Sequence, residues 1–262
     1  MKTVTFHSYK GGTGKSFLSL NVAACLSMQN YRVALIDFDT RAPTVYHRFQ
    51  PDISSTHWLN EYLDSKIPFT EVMKDYSHLI QSKGKFFIGF ASPKTRDMQE
   101  MQIKSRQWQQ KALTLLMRAI VDLKDKYDWI ILDSSPGVTY DSLNAMSSSD
   151  AVILVSTPDY ADILGTNEMC LEIWPSLVKF GARPSLVLNK VPREKMDSEE
   201  LYNTDHIIKE LSDNTDIACI ANIPAYCDKS VLTEKIFILQ YESHPLTNHV
   251  KNLTNSIISL IK

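Results

Sequence analysis

A glycine-rich segment near the start of the chain has the residue types and spacing that bind phosphate. It follows an apolar run, precedes a helical pattern, and consists of Lys10, Gly11, Gly12, Thr13, Gly14, Lys15, Ser16 and Phe17. Glycines let backbone N–H groups surround a polyphosphate, and the N-terminus of the following helix adds partial positive charge. In such a loop Lys15 contacts the outer phosphates and the Ser16 hydroxyl ligates magnesium. We therefore predict that residues 11–17 bind a nucleotide.

One position departs from the standard phosphate-loop pattern G-x-x-x-x-G-K-[ST]. Tyr9 lies where the first glycine is expected, and a second lysine, Lys10, stands at the entrance of the loop. Spacing alone therefore indicates an anion site with two cations.

Carboxylates follow two of the predicted strands. Asp37 and Asp39 come at the end of one apolar run, and Asp133 ends another. Ligands of open parallel sheets bind at the carboxyl ends of the strands, so we expect these side chains beside the loop. A carboxylate there can hold the magnesium shell or orient an attacking water. Strand alternation puts Asp37 and Asp39 on one side, opposite Phe38.

The lysine-first loop resembles the deviant Walker A motif of the ParA/MinD family, P-loop ATPases that position DNA, division sites and other cargo. Asp37 and Asp39 resemble the second motif of that family, and the strand that ends in Asp133 resembles a Walker B strand. The resemblance implies that Lys10 reaches across a dimer to the partner's nucleotide. It also implies that Asp39 positions the hydrolytic water and that Asp37 is a magnesium-side or switch residue. Ser16 and Asp133 complete the predicted magnesium site. After Asp39 many members continue with a Pro-Gln-Gly type sequence, whereas this chain has Thr40-Arg41-Ala42-Pro43, which leaves the subfamily open.

Two later positions are predicted to contact the base. Asn189 ends a further strand, and its amide offers the donor and acceptor that match the adenine edge. It resembles the adenine-recognising asparagine of the family, and Pro224 resembles the second base-contacting segment. The guanine-reading sequence Asn-Lys-x-Asp is not met, which favours ATP over GTP.

Composition narrows the function classes. The 262 residues are 44% hydrophobic and 22% charged, with a formal net charge of −2. An overall electrostatic footprint for nucleic acid is therefore not expected, although a local basic patch stays open. The four cysteines show no C-x-x-C pairing, which favours a reducing cytoplasm over a metal or disulfide framework. No apolar run approaches the roughly 18–20 residues that span a bilayer, so we expect a soluble or at most peripheral protein.

Apolar β-branched runs alternate with helical patterns, which predicts a doubly wound α/β fold with a mostly parallel sheet flanked by helices. We predict one domain over residues 1–262, with an irregular insert at 41–85. The predicted strands are 2–8, 32–37, 86–91, 129–133, 151–157, 185–189 and 217–223. The predicted helices are 16–29, 99–127, 162–180, 198–211 and 245–261.

The sequence as a whole predicts an ATP-dependent, dimerising switch ATPase that uses Mg²⁺, hydrolyses ATP slowly and organises cargo, as in DNA partitioning. An activating protein partner is expected, and non-specific DNA is left open, with basic residues at 193, 195, 229, 235 and 251. The main alternative is a MinD-like, membrane-associated regulator of division-site or surface-apparatus placement, but we expect the C-terminal helix to pack on the core. Further alternatives are an iron–sulfur carrier ATPase and a small-molecule kinase or ligase.

Overall fold

The fold is built around one mostly parallel β-sheet. The computed structural model describes residues 1–179, 181–192, 215–227 and 235–262, together with residues 209 and 213. The strands within this part of the chain are β1 (Lys2–His7), β2 (Arg32–Phe38), β3 (Met73–Asp75), β4 (Lys85–Gly89), β5 (Trp129–Ser134), β6 (Ala151–Ser156), β7 (Arg183–Val191) and β8 (Cys219–Pro224). Their order is β3-β4-β2-β5-β1-β6-β7-β8. Only β3, which pairs with β4, is antiparallel among these strands.

Helices cover both faces of the sheet. They are α1 (Lys15–Met28), α2 (Val45–Phe49), α3 (Leu59–Leu63), α4 (Phe69–Val72), α5 (Thr95–Gln102), α6 (Arg106–Asp122), α7 (Tyr140–Ser147), α8 (Tyr160–Val178), α9 (Phe237–Gln240) and α10 (Pro245–Leu260). The predicted doubly wound α/β fold with a mostly parallel sheet is confirmed. The predicted helix at 198–211, and the basic residues at 193, 195 and 229, lie outside the described residues.

Three local expectations are corrected. The single helix predicted over 99–127 is two helices, because the Ser105 hydroxyl accepts the backbone N–H of Trp108 and starts a new helix. The edge strand β3 was not predicted, because its three residues, of which two are charged, are too few to show a strand pattern. The helix α7 was also missed, although Thr139 caps it.

The side-chain alternation of β2 decides which face carries the site. Val33 and Leu35 pack in one apolar cluster with α1 and α10, whereas Ala34 and Ile36 pack in another with α3 and α6. Asp37 follows the first pattern and therefore lies on the α1 side, where the loop after β1 is.

The C-terminal helix packs on the core, as expected. Leu246, Val250, Leu253 and Ile257 of α10 are buried in the same cluster as α1. Fully burying one such side chain stabilises the fold by about 1.5–3 kcal/mol. In the described part of the chain, no helix has both the length and the apolar character to cross a membrane.

Candidate functional site

The phosphate loop joins β1 to α1, and two glycines give it its shape. Gly12 and Gly14 have φ of +84° and +95°, the left-handed region where other residues are strained. Gly14 is the N-cap residue of α1, and no side chain of the described residues caps this helix. The first backbone N–H groups of α1 are therefore available to an anion.

A buried ion pair lies beside the loop. The Lys15 ammonium donates to Asp133 Oδ1 at 2.7 Å and to Ser16 Oγ at 3.3 Å. The parallel register pairs Phe6 with Asp133, which brings the end of β5 to the start of the loop. Among the described residues, the buried atoms Asp133 Oδ2 and Thr13 Oγ1 have no hydrogen-bond partner. Since buried polar atoms are normally paired, these two fit a bound polar ligand such as magnesium with a phosphate.

The strand β2 delivers two carboxylates to the same edge of the sheet, where Asp37 is in register with Asp133. Asp37 accepts the backbone N–H groups of Asp39 at 3.2 Å and Val45 at 3.1 Å, and Asp39 accepts that of Ala42 at 3.1 Å. Burial raises the pKa of Asp37 well above its ordinary value, and Asp133 adds to this; burial also raises the pKa of Asp39 to about 6. Both oxygens of Asp37 thus shape the turn into α2.

A cavity of about 450 Å³ opens over the loop, a size that suits a nucleotide. The predicted contacts that line it are Gly11, Gly12, Thr13, Gly14, Lys15, Ser16, Phe17, Asp39, Asn189 and Pro224. Asp37 and Asp133 are fully buried and are not part of this lining, whereas Ser16 belongs to it. Side chains that the sequence analysis did not single out also line the cavity: Thr44, Arg48, Lys190, Tyr226 and Leu246.

Arg48 is a site residue that the sequence analysis missed. It projects from α2 into the cavity lining and is half-buried. Burial lowers the pKa of Arg48, and the negative charge of Asp133 opposes that shift. The guanidinium therefore lies within electrostatic range of the buried ion pair, but no motif in the sequence points to it.

The second lysine of the loop, Lys10, forms an ion pair outside the cavity. The Lys10 ammonium donates to Asp159, the N-cap residue of α8, at 2.5 Å. This hydrogen bond raises the pKa of Lys10 and lowers that of Asp159. Both side chains are exposed, and Lys10 is not part of the cavity lining. Next to it, the ring of Tyr9 packs so closely on Gly165 of α8 that a Cβ there would lie 2.0 Å from the ring.

A family model described as AAA domain matches residues 1–177, more than half of the chain. A virulence plasmid ParA family protein of Chlamydia psittaci is 26% identical over 272 residues, covering 98% of this chain and 94% of that protein. The septum site-determining protein MinD of Bacillus subtilis is 23% identical over 217 residues, covering 80% and 73%. The chain belongs to the ParA/MinD family of P-loop ATPases.

Other comparisons agree with this ParA/MinD assignment. A putative replication protein A of Sinorhizobium fredii is 24% identical over 181 residues, which are 65% of this chain but only 43% of that protein. MinD of Pyrococcus horikoshii, solved with Mg-ADP, has a TM-score of 0.74 at 20% identity and covers 98% of this chain and 95% of that one. A variant of McdA from Cyanothece, solved in complex with ATP, has a TM-score of 0.78 at 16% identity, covering 99% and 96%. The solved structures share the fold with this chain.

The predicted adenine reader of this ParA/MinD chain contacts the phosphate loop. Asn189 Nδ2 donates to the carbonyl of Thr13 at 2.8 Å, and the neighbouring Lys190 Nζ donates to the carbonyl of Gly12 at 2.6 Å. Base recognition by Asn189 and Pro224 stays a prediction. No sequence motif predicted the contact of Lys190 with the phosphate loop.

Hydrogen bonds anchor the segments that follow β2 and β5, the two strands that carry the strand-end aspartates. Thr40, which follows Asp39, donates its hydroxyl to Asp141 Oδ2 of α7 at 2.9 Å. Asp141 is buried, which raises its pKa. The segment after β5 is held to the residue that follows β1, because the Gly137 N–H donates to the Ser8 carbonyl at 2.9 Å. The segment after β2 is therefore anchored on α7, and the segment after β5 is anchored on the connection between β1 and the phosphate loop.

Proposed function

We propose that this chain is a Mg²⁺-dependent ATPase that dimerises with ATP and hydrolyses it slowly, as a switch that organises cargo in the manner of DNA partitioning. The observation that carries the proposal is the buried Lys15–Asp133 pair under a glycine loop, with an unpartnered Asp133 oxygen within the described residues. An ordinary structural ion pair does not need a glycine nest and an available helix N-terminus above it.

Each part of the nucleotide has matching groups. Residues 11–17 and Lys15 suit the phosphates, and Ser16 with Asp133 suits magnesium, with Asp37 fixing the adjoining turn. Bound Mg²⁺ would neutralise phosphate charge and polarise the terminal group. Asn189 and Pro224 border the cavity where the base would lie.

Asp39 is the group we propose to orient the attacking water. It lines the cavity beside the loop, and its pKa of about 6 leaves it mostly ionised near pH 7. One of its oxygens accepts the Ala42 N–H. That bond fixes the carboxylate through the loop 40–44, so an activating protein that repositions this loop would change the rate of hydrolysis.

Dimerisation is the proposed role of Lys10. Its ammonium is already at the surface, and its bond to Asp159 is an exposed ion pair, which costs little to break. A second subunit that presents a triphosphate offers Lys10 a more negative partner than one carboxylate. We propose that the lysine then contacts the partner's nucleotide, so that ATP holds the dimer together.

The burial of the apolar face of α10 favours DNA over a membrane as the surface on which the protein works. The apolar residues of this helix are buried against α1, so they are not available to insert into lipid. The relative of this chain in Chlamydia psittaci is a plasmid ParA family protein. A cytoplasmic location follows from the same proposal.

The iron–sulfur alternative receives less support from the cysteines. Cys25 and Cys170 are buried in apolar clusters, and burial raises the pKa of both thiols. Cys219 is half-buried, so that Cys227 is the one exposed cysteine of the four. A cluster that bridges two subunits needs exposed thiolates.

The test uses the full chain and one lysine variant. Wild type should be dimeric with ATP and monomeric with ADP in light scattering after size exclusion. Lys10→Ala should bind ATP in calorimetry but stay monomeric. Lys124→Ala, which changes an exposed lysine in the turn between α6 and β5, should dimerise like wild type. A Lys10→Ala dimer with ATP would contradict the cross-subunit role.

The working surface is tested on the ATP-loaded protein. We expect it to shift a non-specific DNA duplex in an electrophoretic assay and to stay in the supernatant with anionic vesicles. Sedimentation with vesicles but no DNA shift would replace partitioning with the membrane-associated alternative.

A further inference from the structure

The strand β7 contains an irregularity at Lys190. Its register with β8 shifts between Asn189 and Val191, and Lys190 itself has a φ of +60°. A residue with a Cβ is strained in this left-handed conformation, and such strain persists only where the surrounding structure imposes it. Bulges of this kind re-aim a side chain, and the residue at this bulge is Lys190.

The irregularity directs Lys190 to the phosphate loop. Lys190 Nζ donates to the Gly12 carbonyl at 2.6 Å, while the preceding residue, Asn189, donates from Nδ2 to the Thr13 carbonyl at 2.8 Å. Two consecutive residues of one strand thus bind two consecutive carbonyls of the loop, 176 and 178 positions away in sequence.

Holding these carbonyls also orients the loop's donors. In a trans peptide the C=O and the following N–H point in opposite directions. The Gly12 carbonyl is therefore linked to the direction of the Thr13 N–H, and the Thr13 carbonyl to that of the Gly14 N–H. Both N–H groups belong to the nest that would receive a phosphate.

The fit between the strand end and the loop is close. A Cβ on Gly14 would lie 2.4 Å from Asn189 Nδ2 and 3.8 Å from Lys190 Cε. The glycine is thus required by this approach as well as by its positive φ. The loop is therefore shaped from outside by β7 and not by its own glycines alone.

We propose that Lys190 is a positioning residue of the phosphate loop, which fixes the Gly12 carbonyl so that the loop's N–H groups are preset for the phosphates of a nucleotide. The proposal rests on the proposed nucleotide-binding function. It assigns to Lys190 an effect on every ligand with a polyphosphate, whether or not that ligand carries a base.

Calorimetry with two ligands separates loop positioning from base contact. Lys190→Asn tolerates the left-handed backbone but is too short to reach Gly12, whereas Lys190→Arg keeps a long donor. With Mg²⁺ present, we expect Lys190→Asn to weaken the binding of ATP and of inorganic tripolyphosphate by the same factor, about tenfold for one lost charged hydrogen bond. Lys190→Arg should recover most of both affinities.

Three results would overturn the inference: unchanged affinities in Lys190→Asn, a loss confined to ATP, or no recovery in Lys190→Arg. Matched thermal unfolding midpoints for the variants exclude general destabilisation as the cause, and Lys190→Gly, which relieves the backbone strain, serves as the replacement if Lys190→Asn unfolds. A wild-type chain that binds neither ligand would overturn the proposed function itself, whereas wild-type binding with an unaffected Lys190→Asn would overturn only this inference.

Discussion

The phosphate loop contributes two lysines to two ion pairs that have similar lengths and opposite surroundings. Lys15 bonds Asp133 at 2.7 Å, with side chains 7% and 0% exposed, whereas Lys10 bonds Asp159 at 2.5 Å, with side chains 40% and 56% exposed. A buried pair costs desolvation to form and cannot lose one partner without leaving a charge uncompensated. An exposed pair exchanges partners cheaply. The difference in burial is consistent with a Lys15 that stays fixed in the site and a Lys10 that can change its partner.

The largest effect is expected from breaking the buried pair. Lys15→Ala leaves Asp133 buried without its cation, near two further carboxylates, so the free energy of unfolding should fall by about 3 kcal/mol. The variant should also lose ATP binding, since the phosphates lose their main cation. Denaturant unfolding and calorimetry measure the two effects. Lys124→Ala should stay within about 0.5 kcal/mol of wild type.

Wild-type ATP affinity in Lys15→Ala would contradict the phosphate-loop assignment. An unchanged free energy of unfolding would contradict the view that the buried pair carries the charge balance of the site. Adding Asp133→Asn to Lys15→Ala should recover part of the lost stability, because the orphaned charge is removed as well.

A second variant changes the acidic surroundings of the buried pair. Asp39→Ala removes a carboxylate that burial and Asp133 keep at a raised pKa, so the fold should not be destabilised. ATP should still bind, while hydrolysis should fall by roughly 100-fold or more because the attacking water loses its orienting group. Phosphate release and light scattering should show an ATP-bound dimer that persists. A monomer that still turns over ATP would remove Asp39 from the proposed role.

The smallest effect is expected at the exposed pair. Asp159→Asn removes the charge that holds Lys10 and keeps a residue that caps α8. Dimerisation with ATP should then begin at a protein concentration about threefold lower, because Lys10 no longer gives up an ionic partner. Light scattering across a dilution series measures this shift, and the gap to wild type should narrow at high salt. Weaker dimerisation would mean that Asp159 supports the dimer instead of competing with it.

Much of the fold follows from local pattern. The central strands β5 and β6 are continuous apolar runs, typical of strands buried on both faces, and they were predicted within a residue or two. The break before α6 was missed, because it depends on the Ser105 cap and not on apolar periodicity. The three-residue strand β3 exists because β4 offers it an open edge, which no local pattern reports.

The site divides in the same way. Contiguous sequence motifs contain residues 11–17, Asp39 and Asp133. Their residue types and spacing were therefore enough to predict them as site residues. Asp159 and Lys190 reach the loop only because β6 and β7 follow β1 in the sheet, an order that the sequence analysis did not derive. The Gly12 contact depends further on the bulge at Lys190, which sequence does not signal.

The hydrogen bond between Thr40 and Asp141 connects the segment that follows Asp39 with α7. Asp141 lies in the first turn of α7, and Asn144 of the same helix donates from Nδ2 to the Gln109 carbonyl of α6 at 3.0 Å. On its outer side α6 exposes Met117 and Val121. These two hydrogen bonds therefore connect the segment after Asp39, through α7, with a helix whose outer side exposes two large apolar side chains.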